Sequence, residues 1–209
     1  AYKIPIPSGV IFYGPSGCGK SFIARNLAVR LKRKYFTVSP SEFASIYVHG
    51  AQENIKNFFG KMAKESPCVI ILEELDAILP NRKNDLSHSY SSEVNEFLIH
   101  LEQAASKDIL IIGTTNYLDK IDTAAIRPGR FDLKVLVDVP DFEARMEFIM
   151  QYLKDRPCDF IDWELLAENT EGQSFSDLKL LIDTIAKTAL SRKENINMKH
   201  FYKILKIVH

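Results

Sequence analysis

The run Gly14-Pro15-Ser16-Gly17-Cys18-Gly19-Lys20-Ser21 has the spacing G-x4-G-K-[ST]. Glycines so placed let the backbone curl until successive N–H groups face one anion. A helix starting at the end of the loop adds its positive dipole end. In that arrangement Lys20 reaches the β- and γ-phosphates of a nucleotide, and the Ser21 hydroxyl ligates Mg2+. Cys18 reads first as a small filler inside the loop. The helix-end amides and Lys20 also make its thiol a candidate for alkylation, with nucleotide protecting it.

Two further groups could complete that chemistry. The apolar run Val69-Ile70-Ile71-Leu72 leads directly into Glu73-Glu74-Leu75-Asp76. Paired carboxylates at a buried strand end suit metal and water handling, with Glu73 on Mg2+ through its outer shell and Glu74 as the general base that polarises an attacking water. Thr115-Asn116 ends another apolar run, and the Asn116 amide could orient that water and sense the γ-phosphate. Arg127 and Arg130 flank Pro128-Gly129; taken alone they are surface charges or partners of Asp132.

These side chains need elements to position them. Short apolar runs predict strands at Val10–Tyr13, Tyr35–Val38, Val69–Leu72, Ile109–Thr114 and Leu133–Val139. Helical spacing falls between them, as in Phe22, Ile23, Leu27, Ala28 and Leu31, or Val94, Phe97, Leu98 and Leu101. Strand–helix alternation predicts an α/β fold with a mainly parallel sheet covered on both faces. After Pro140 only helical stripes remain, carried by Phe142–Leu153, Leu178–Ala189 and Phe201–Val208, with a short helix near Asp162–Asn169. The expected division is a large α/β nucleotide-binding subdomain over 1–139 and a small all-helical subdomain over 140–209. The polar stretch Asn81–Ser92 is expected to be a loop.

Composition narrows the function classes. Of 209 residues, 46% are hydrophobic and 26% charged, which supports a full core and argues against disorder. Lys plus Arg (27) balances Asp plus Glu (27), an unsuitable charge for coating nucleic acid or an acidic membrane. Cys18, Cys68 and Cys158 are scattered, which points to a reducing compartment and makes the cytoplasm the default location. The histidines and cysteines show no metal-ligand spacing. No apolar run approaches the roughly 18 residues of a membrane span. The chain opens at Ala1 and reaches a strand at Val10, which reads as a piece of a longer protein.

Taken in order, these motifs resemble the AAA family of ATPases within the wider AAA+ group, over almost the whole chain. Gly14–Ser21 is similar to Walker A and Val69–Glu74 to Walker B, and Asn116 falls at the sensor 1 position. Asp122–Asp132, with its Arg-Pro-Gly-Arg-Phe-Asp, resembles the second region of homology. Thr170–Leu178 resembles the start of the sensor 2 helix. The resemblance implies a P-loop fold with a five-stranded parallel sheet and a helical lid, with ATP and Mg2+ as cofactors. It adds Phe22, Gly172, Phe175 and Ser176 to the nucleotide-binding loop, Arg127 and Arg130 as arginine fingers, and Ser21 and Glu73 as metal-site residues. It implies a ring, usually a hexamer, whose Tyr47 and Val48 grip an extended polypeptide in a central pore, with an adaptor of unspecified identity.

The chain departs from the family pattern at three positions. Glu73 stands where the family has Asp, His49 replaces a pore-loop Gly, and Phe175 replaces the Gly of Ser-Gly-Ala-Asp. None removes a charge that phosphate chemistry requires. The leading expectation is an ATP-hydrolysing mechanoenzyme that remodels, unfolds or disassembles proteins. The alternatives are a nucleic-acid motor or loader on the same fold, which the neutral composition and the lack of a basic–aromatic stripe disfavour, and a slow-turnover ATP-gated scaffold.

Overall fold

Apolar side chains alternating along the strands set the architecture. The computed structural model describes residues 7, 9–47, 51–81 and 88–205. Strands β1 (Gly9–Tyr13), β2 (Lys34–Val38), β3 (Cys68–Leu72), β4 (Ile109–Thr115) and β5 (Phe131–Leu136) form one sheet in the order β2-β3-β4-β1-β5. Every neighbouring pair is parallel. Ile11, Ile70, Leu72, Ile109 and Ile111 face a core shared with Ile55 and Phe59 of α3 (Ala51–Lys64) and Phe97 and Leu101 of α5 (His88–Ala104). Val10, Phe12, Val69, Ile71 and Ile112 point to the other face, against Ala24 and Ala28 of α1 (Lys20–Arg30). Burial on both faces is why β3 reads as an unbroken apolar run. Each fully buried Val, Leu, Ile or Phe among them contributes about 1.5–3 kcal/mol of transfer free energy.

A parallel sheet has all its strand C-termini on one edge. There β4 lies between β1 and β3, with Tyr13 opposite Thr115 and Leu72 opposite Gly113. The segments leaving these three strands are thereby set side by side, in the place where open α/β sheets bind ligands. Helices α2 (Pro40–Tyr47) and α4 (Leu75–Ile78) complete this part.

Two expectations change in detail. Residues 88–92 belong to α5 rather than to a loop, because the helix extends N-terminally from its buried stripe of Val94, Phe97 and Leu98. Strand β5 ends at Leu136, short of Val139. Of the pore-loop pair, Tyr47 closes α2 but its side chain lies outside the described residues, as does Val48 altogether.

Packing separates the chain into two units, one holding Gly19–Val137 with the chain up to Gly14, the other holding Asp138–His209 with Pro15–Cys18. The second is helical: α6 (Phe142–Leu153), α7 (Trp163–Glu168), α8 (Phe175–Arg192) and α9 (Met198–Leu205). Three of its helices start at capping side chains. Asp141 accepts from Ala144 N–H at 2.9 Å, Asp162 from Leu165 N–H at 3.0 Å and Ser174 from Asp177 N–H at 3.2 Å. The core is built on Ile149, Leu166, Leu178, Ile182 and Phe201. Buried Arg145, 5% exposed, ties it together by donating to the Pro140 and Ala167 carbonyls at 2.8–3.1 Å.

Candidate active site

The loop after β1 takes a shape that only glycine allows at its key points. Gly14 has φ 137°, and a Cβ there would lie 2.3 Å from the Val137 carbonyl oxygen. Gly17 has φ 77°, and a Cβ there would lie 2.6 Å from Ser174 Oγ, while Ser176 N–H donates to the Gly17 carbonyl at 3.2 Å. Beyond the loop, Ile23 N–H donates to Gly19 O at 2.9 Å and starts α1. Lys20 is 8% exposed, and its Nζ donates to Gly14 O at 2.8 Å, folding the ammonium back over the loop. Ser21 is half-buried in the first turn of α1, and Phe22 beside it is 70% exposed. Pro15 and Ser16 lie on the accessible side of the loop. Cys18 does not: it is 1% exposed and its thiol contacts Ser16 O at 3.7 Å. The expectation of ready alkylation is therefore corrected, since a buried thiol is closed to a bulky reagent.

The acidic strand end sits on the same sheet edge. Glu73 N–H donates to Val38 O at 3.0 Å, carrying the β2–β3 pairing one step past β3. The Glu73 carboxylate accepts from Arg25 Nη2 of α1 at 2.8 Å. Glu74 is exposed and takes a left-handed backbone, φ 53° and ψ 54°, at the start of α4. Its carbonyl accepts from Ala77 N–H at 2.8 Å, so a sharp turn separates the two glutamates' directions from the buried helix beyond them. Leu75, fully buried, covers Gly113 of β4 so closely that a Cβ there would lie 2.6 Å from its Cδ2. Asn116 comes directly after the end of β4 and is exposed.

The two arginines after β4 differ. Arg127 is exposed. Arg130 is held within its own chain, with Nε donating to Glu102 Oε1 and Nη1 to Ala124 O, both at 2.7 Å. In the helical unit, Gly172 has φ 75° and is open, and Ser176 lies against Gly17 of the loop. The Phe175 ring packs on Phe148 with centroids 5.0 Å apart. Asp177 accepts from both the Ser174 hydroxyl (2.6 Å) and its N–H (3.0 Å). These two bonds, the hydroxyl's first, hold its carboxyl below the usual range.

Sequence reasoning missed Arg25, Glu102 and Arg145. Arg25 had a usable signal: it lies one helical turn after Ser21, so the two share a face of α1. Glu102 and Arg145 had none, because their partners are remote in the chain.

The donor set fits a nucleoside triphosphate with Mg2+. A glycine-shaped loop lies ahead of a helix N-terminus, a buried ammonium closes over it, and hard oxygen donors stand at Ser21 and Glu73. Among the described residues no three His, Cys, Asp or Glu side chains cluster as a metal cage. Mg2+ does not need one, since it binds through one or two carboxylates together with substrate phosphates.

Residues 10–139 match the family profile described as the ATPase family associated with various cellular activities (AAA). The chain is 33% identical over 198 residues to the ATP-dependent zinc metalloprotease YME1L of Drosophila melanogaster, covering 93% of this chain and 27% of that protein. It is 35% identical over 198 residues to YME1L1 of Homo sapiens, covering 93% of this chain and 26% of that protein. It is 32% identical over 206 residues to FtsH 2 of Thermoanaerobacter, covering 97% of this chain and 40% of that protein. The chain thus spans well under half the length of these relatives. Among the described residues no helix is long and apolar enough to cross a membrane. With the phosphate loop, the acidic strand end and the polar end of β4 on one edge of an all-parallel sheet, and with this profile over most of its length, the chain belongs to the AAA family of ATPases, whose cofactors are ATP and Mg2+.

Proposed function

We propose that this chain is the ATP-driven core of a ring that remodels or unfolds polypeptides. The observation that carries this reading is the convergence of the Gly14–Ser21 loop, Glu73–Glu74 and Asn116 at the C-terminal edge of three neighbouring strands. The relatives are ATP-dependent metalloproteases by name, which supports polypeptides over nucleic acid as the substrate class. So does the formal net charge of zero.

In this reading the residues divide the work. The N–H groups of Ser16–Ser21, in a loop that Gly14 and Pro15 open and with Phe22 in the first helical turn, bind the phosphates, and Lys20 neutralises them. Ser21, and Glu73 through the ion's outer shell, would hold Mg2+, whose charge would screen that of the phosphates. Glu74 takes the proton of the attacking water, and Asn116 fixes that water's orientation. Gly172, Phe175 and Ser176 belong to a lid over 140–209 that contacts the nucleotide, and 1–139 is the nucleotide-binding subdomain. Arg127 and Arg130 act on the nucleotide of the neighbouring copy and stabilise charge in the transition state. The ring is a hexamer, Tyr47 and Val48 grip the substrate in its pore, and an adaptor delivers it. The segment works in a reducing aqueous compartment, the cytoplasm, in keeping with three cysteines that are not joined in disulfides.

The test is the ATPase rate per subunit against protein concentration in the full-length protein, with Arg127→Ala and Arg130→Ala beside it. The expected result is a rate that rises with assembly and collapses in the variants. A rate independent of concentration across assembly and untouched by either change would remove the ring mechanism.

A further inference from the structure

The two turns that carry Glu74 and Asn116 are joined by a side-chain link with no part in the chemistry of phosphate or water. Thr115, 2% exposed, is the last residue of β4. Its hydroxyl donates to Asp76 Oδ1 at 2.5 Å and accepts from Tyr117 N–H at 2.9 Å. One oxygen therefore does two things. Toward Tyr117 it closes the backbone turn that contains Asn116. Toward Asp76 it anchors α4, whose preceding residue is Glu74.

The surroundings show why that anchor matters. Glu74 sits in a left-handed conformation that a non-glycine residue rarely adopts and that persists only where neighbours enforce it. Helix α4 has four residues, Leu75–Ile78, too few to hold itself. Leu75 and Ile78 pin its apolar side, and Leu75 lies directly over Gly113 of β4. Asp76 is the polar tie on the same helix, and it too ends on β4, two residues further along. The contact over Gly113 resists separation of the strand ends, while the directional hydrogen bond resists rotation of α4 about that contact.

We propose that Thr115 and Asp76 are positioning residues that lock the general-base turn to the water-orienting turn, so that Glu74 and Asn116 keep a fixed mutual geometry and act as one unit. Neither touches nucleotide in this assignment. It rests on the roles proposed for Glu74 and Asn116 in hydrolysis.

The test compares Thr115→Val, Thr115→Ser, Asp76→Ala and the wild type in the full-length protein, at concentrations where the rate per subunit is constant. Valine keeps the shape of threonine but leaves Asp76 and Tyr117 N–H without their partner. The expected result is a kcat lowered tenfold or more, with the dissociation constant of a fluorescent ATP analogue changed less than twofold, and with serine restoring kcat to within about threefold of the wild type. Asp76→Ala is expected to repeat the valine pattern. Hydrogen exchange provides a readout independent of turnover: in Thr115→Val the amides of Ala77, Ile78 and Tyr117 exchange faster together, while those of β1 do not. A kcat that falls only in parallel with affinity, a serine variant as slow as valine, or unchanged exchange at those amides would overturn the proposal. A wild type that binds nucleotide but shows no turnover would sink the hydrolytic reading instead, and the exchange measurement would still decide the link.

Discussion

The ion pair between Arg25 and Glu73 offers a prediction that joins its geometry to the metal role proposed for Glu73. Arg25 Nη2 lies 2.8 Å from one oxygen of the Glu73 carboxylate, the group proposed above to hold Mg2+. The pair is open to water, with side-chain exposures of 49% and 26%. Solvent screening therefore limits it to under about 1 kcal/mol, and loss of Arg25 is expected to change global stability by less than about 0.5 kcal/mol. The same pair occupies an oxygen that a cation-bound shell would use. Releasing it with Arg25→Ala is expected to lower the Mg2+ concentration for half-maximal nucleotide binding by up to about fivefold, the equivalent of about 1 kcal/mol. In Glu73→Asp the carboxylate is drawn back by about one C–C bond, ~1.5 Å, which stretches the contact past ion-pair range. Arg25→Ala should then add nothing in that background. The assay is a Mg2+ titration of fluorescent ATP-analogue binding for the four members of this cycle, at two ionic strengths. Raised salt should shrink the Arg25 effect, because the pair is exposed. Equal shifts from Arg25→Ala in both backgrounds, or a higher Mg2+ requirement in the single variant, would refute the reasoning.

Further expectations concern the frame. Arg145→Met leaves the Pro140 and Ala167 carbonyls without their buried donor, and is expected to cost about 2–4 kcal/mol in urea denaturation of the helical unit. Gly17→Ala meets both a left-handed φ and Ser174 Oγ at 2.6 Å, so nucleotide affinity is expected to fall at least tenfold, read by the same fluorescent titration. Asp177 has a depressed carboxyl pKa in the fold, so its contribution is present above the unfolded value of about 3.9 and is lost as pH falls through the folded value. Helix melting followed by circular dichroism below pH 4 is expected to show that loss, and Ser174→Ala to remove it. Cys18 is expected to resist maleimide in the native protein and to react on unfolding, as mass spectrometry of the labelled peptide would report.

Most of the candidate site was legible because its parts are contiguous. A loop, a strand end and a turn each carry their meaning within a few residues, and a parallel sheet gathers strand ends automatically. The starts of the later helices rest on equally local contacts, since Asp141, Asp162 and Ser174 cap the residues right after them. The links between parts were not legible. Arg25 and Glu73 are 48 residues apart, Asp76 and Thr115 are 39, and Glu102 and Arg130 are 28. Nothing in any of these side chains announces its partner until the strand order is known. The start of α5 escapes the periodicity because its first turn is polar, so the pattern marks the helix only where it begins to bury side chains.

The arginines after β4 owe their difference to one of these remote links. Sequence places Arg127 and Arg130 as equals, three residues apart around one turn. In the fold Arg130 bonds Glu102 of α5 and the Ala124 carbonyl, while Arg127 is exposed. In the proposed ring a side chain that reaches another copy loses whatever it held at home, so the two arginines would not carry the same energetic balance. Arg127 can reach outward without breaking either of those bonds. Arg130 must release Glu102, or remain behind and brace the turn from which Arg127 projects. The Glu102 pair is half exposed on its acidic side, so release is cheap. The bond to the Ala124 carbonyl is the firmer of the two, since a partly buried acceptor left empty costs about 1–3 kcal/mol. On these magnitudes, the proposed assembly would have to offer Arg130 more than a surface contact to draw it out, and a neighbouring nucleotide's phosphates are a partner of sufficient charge.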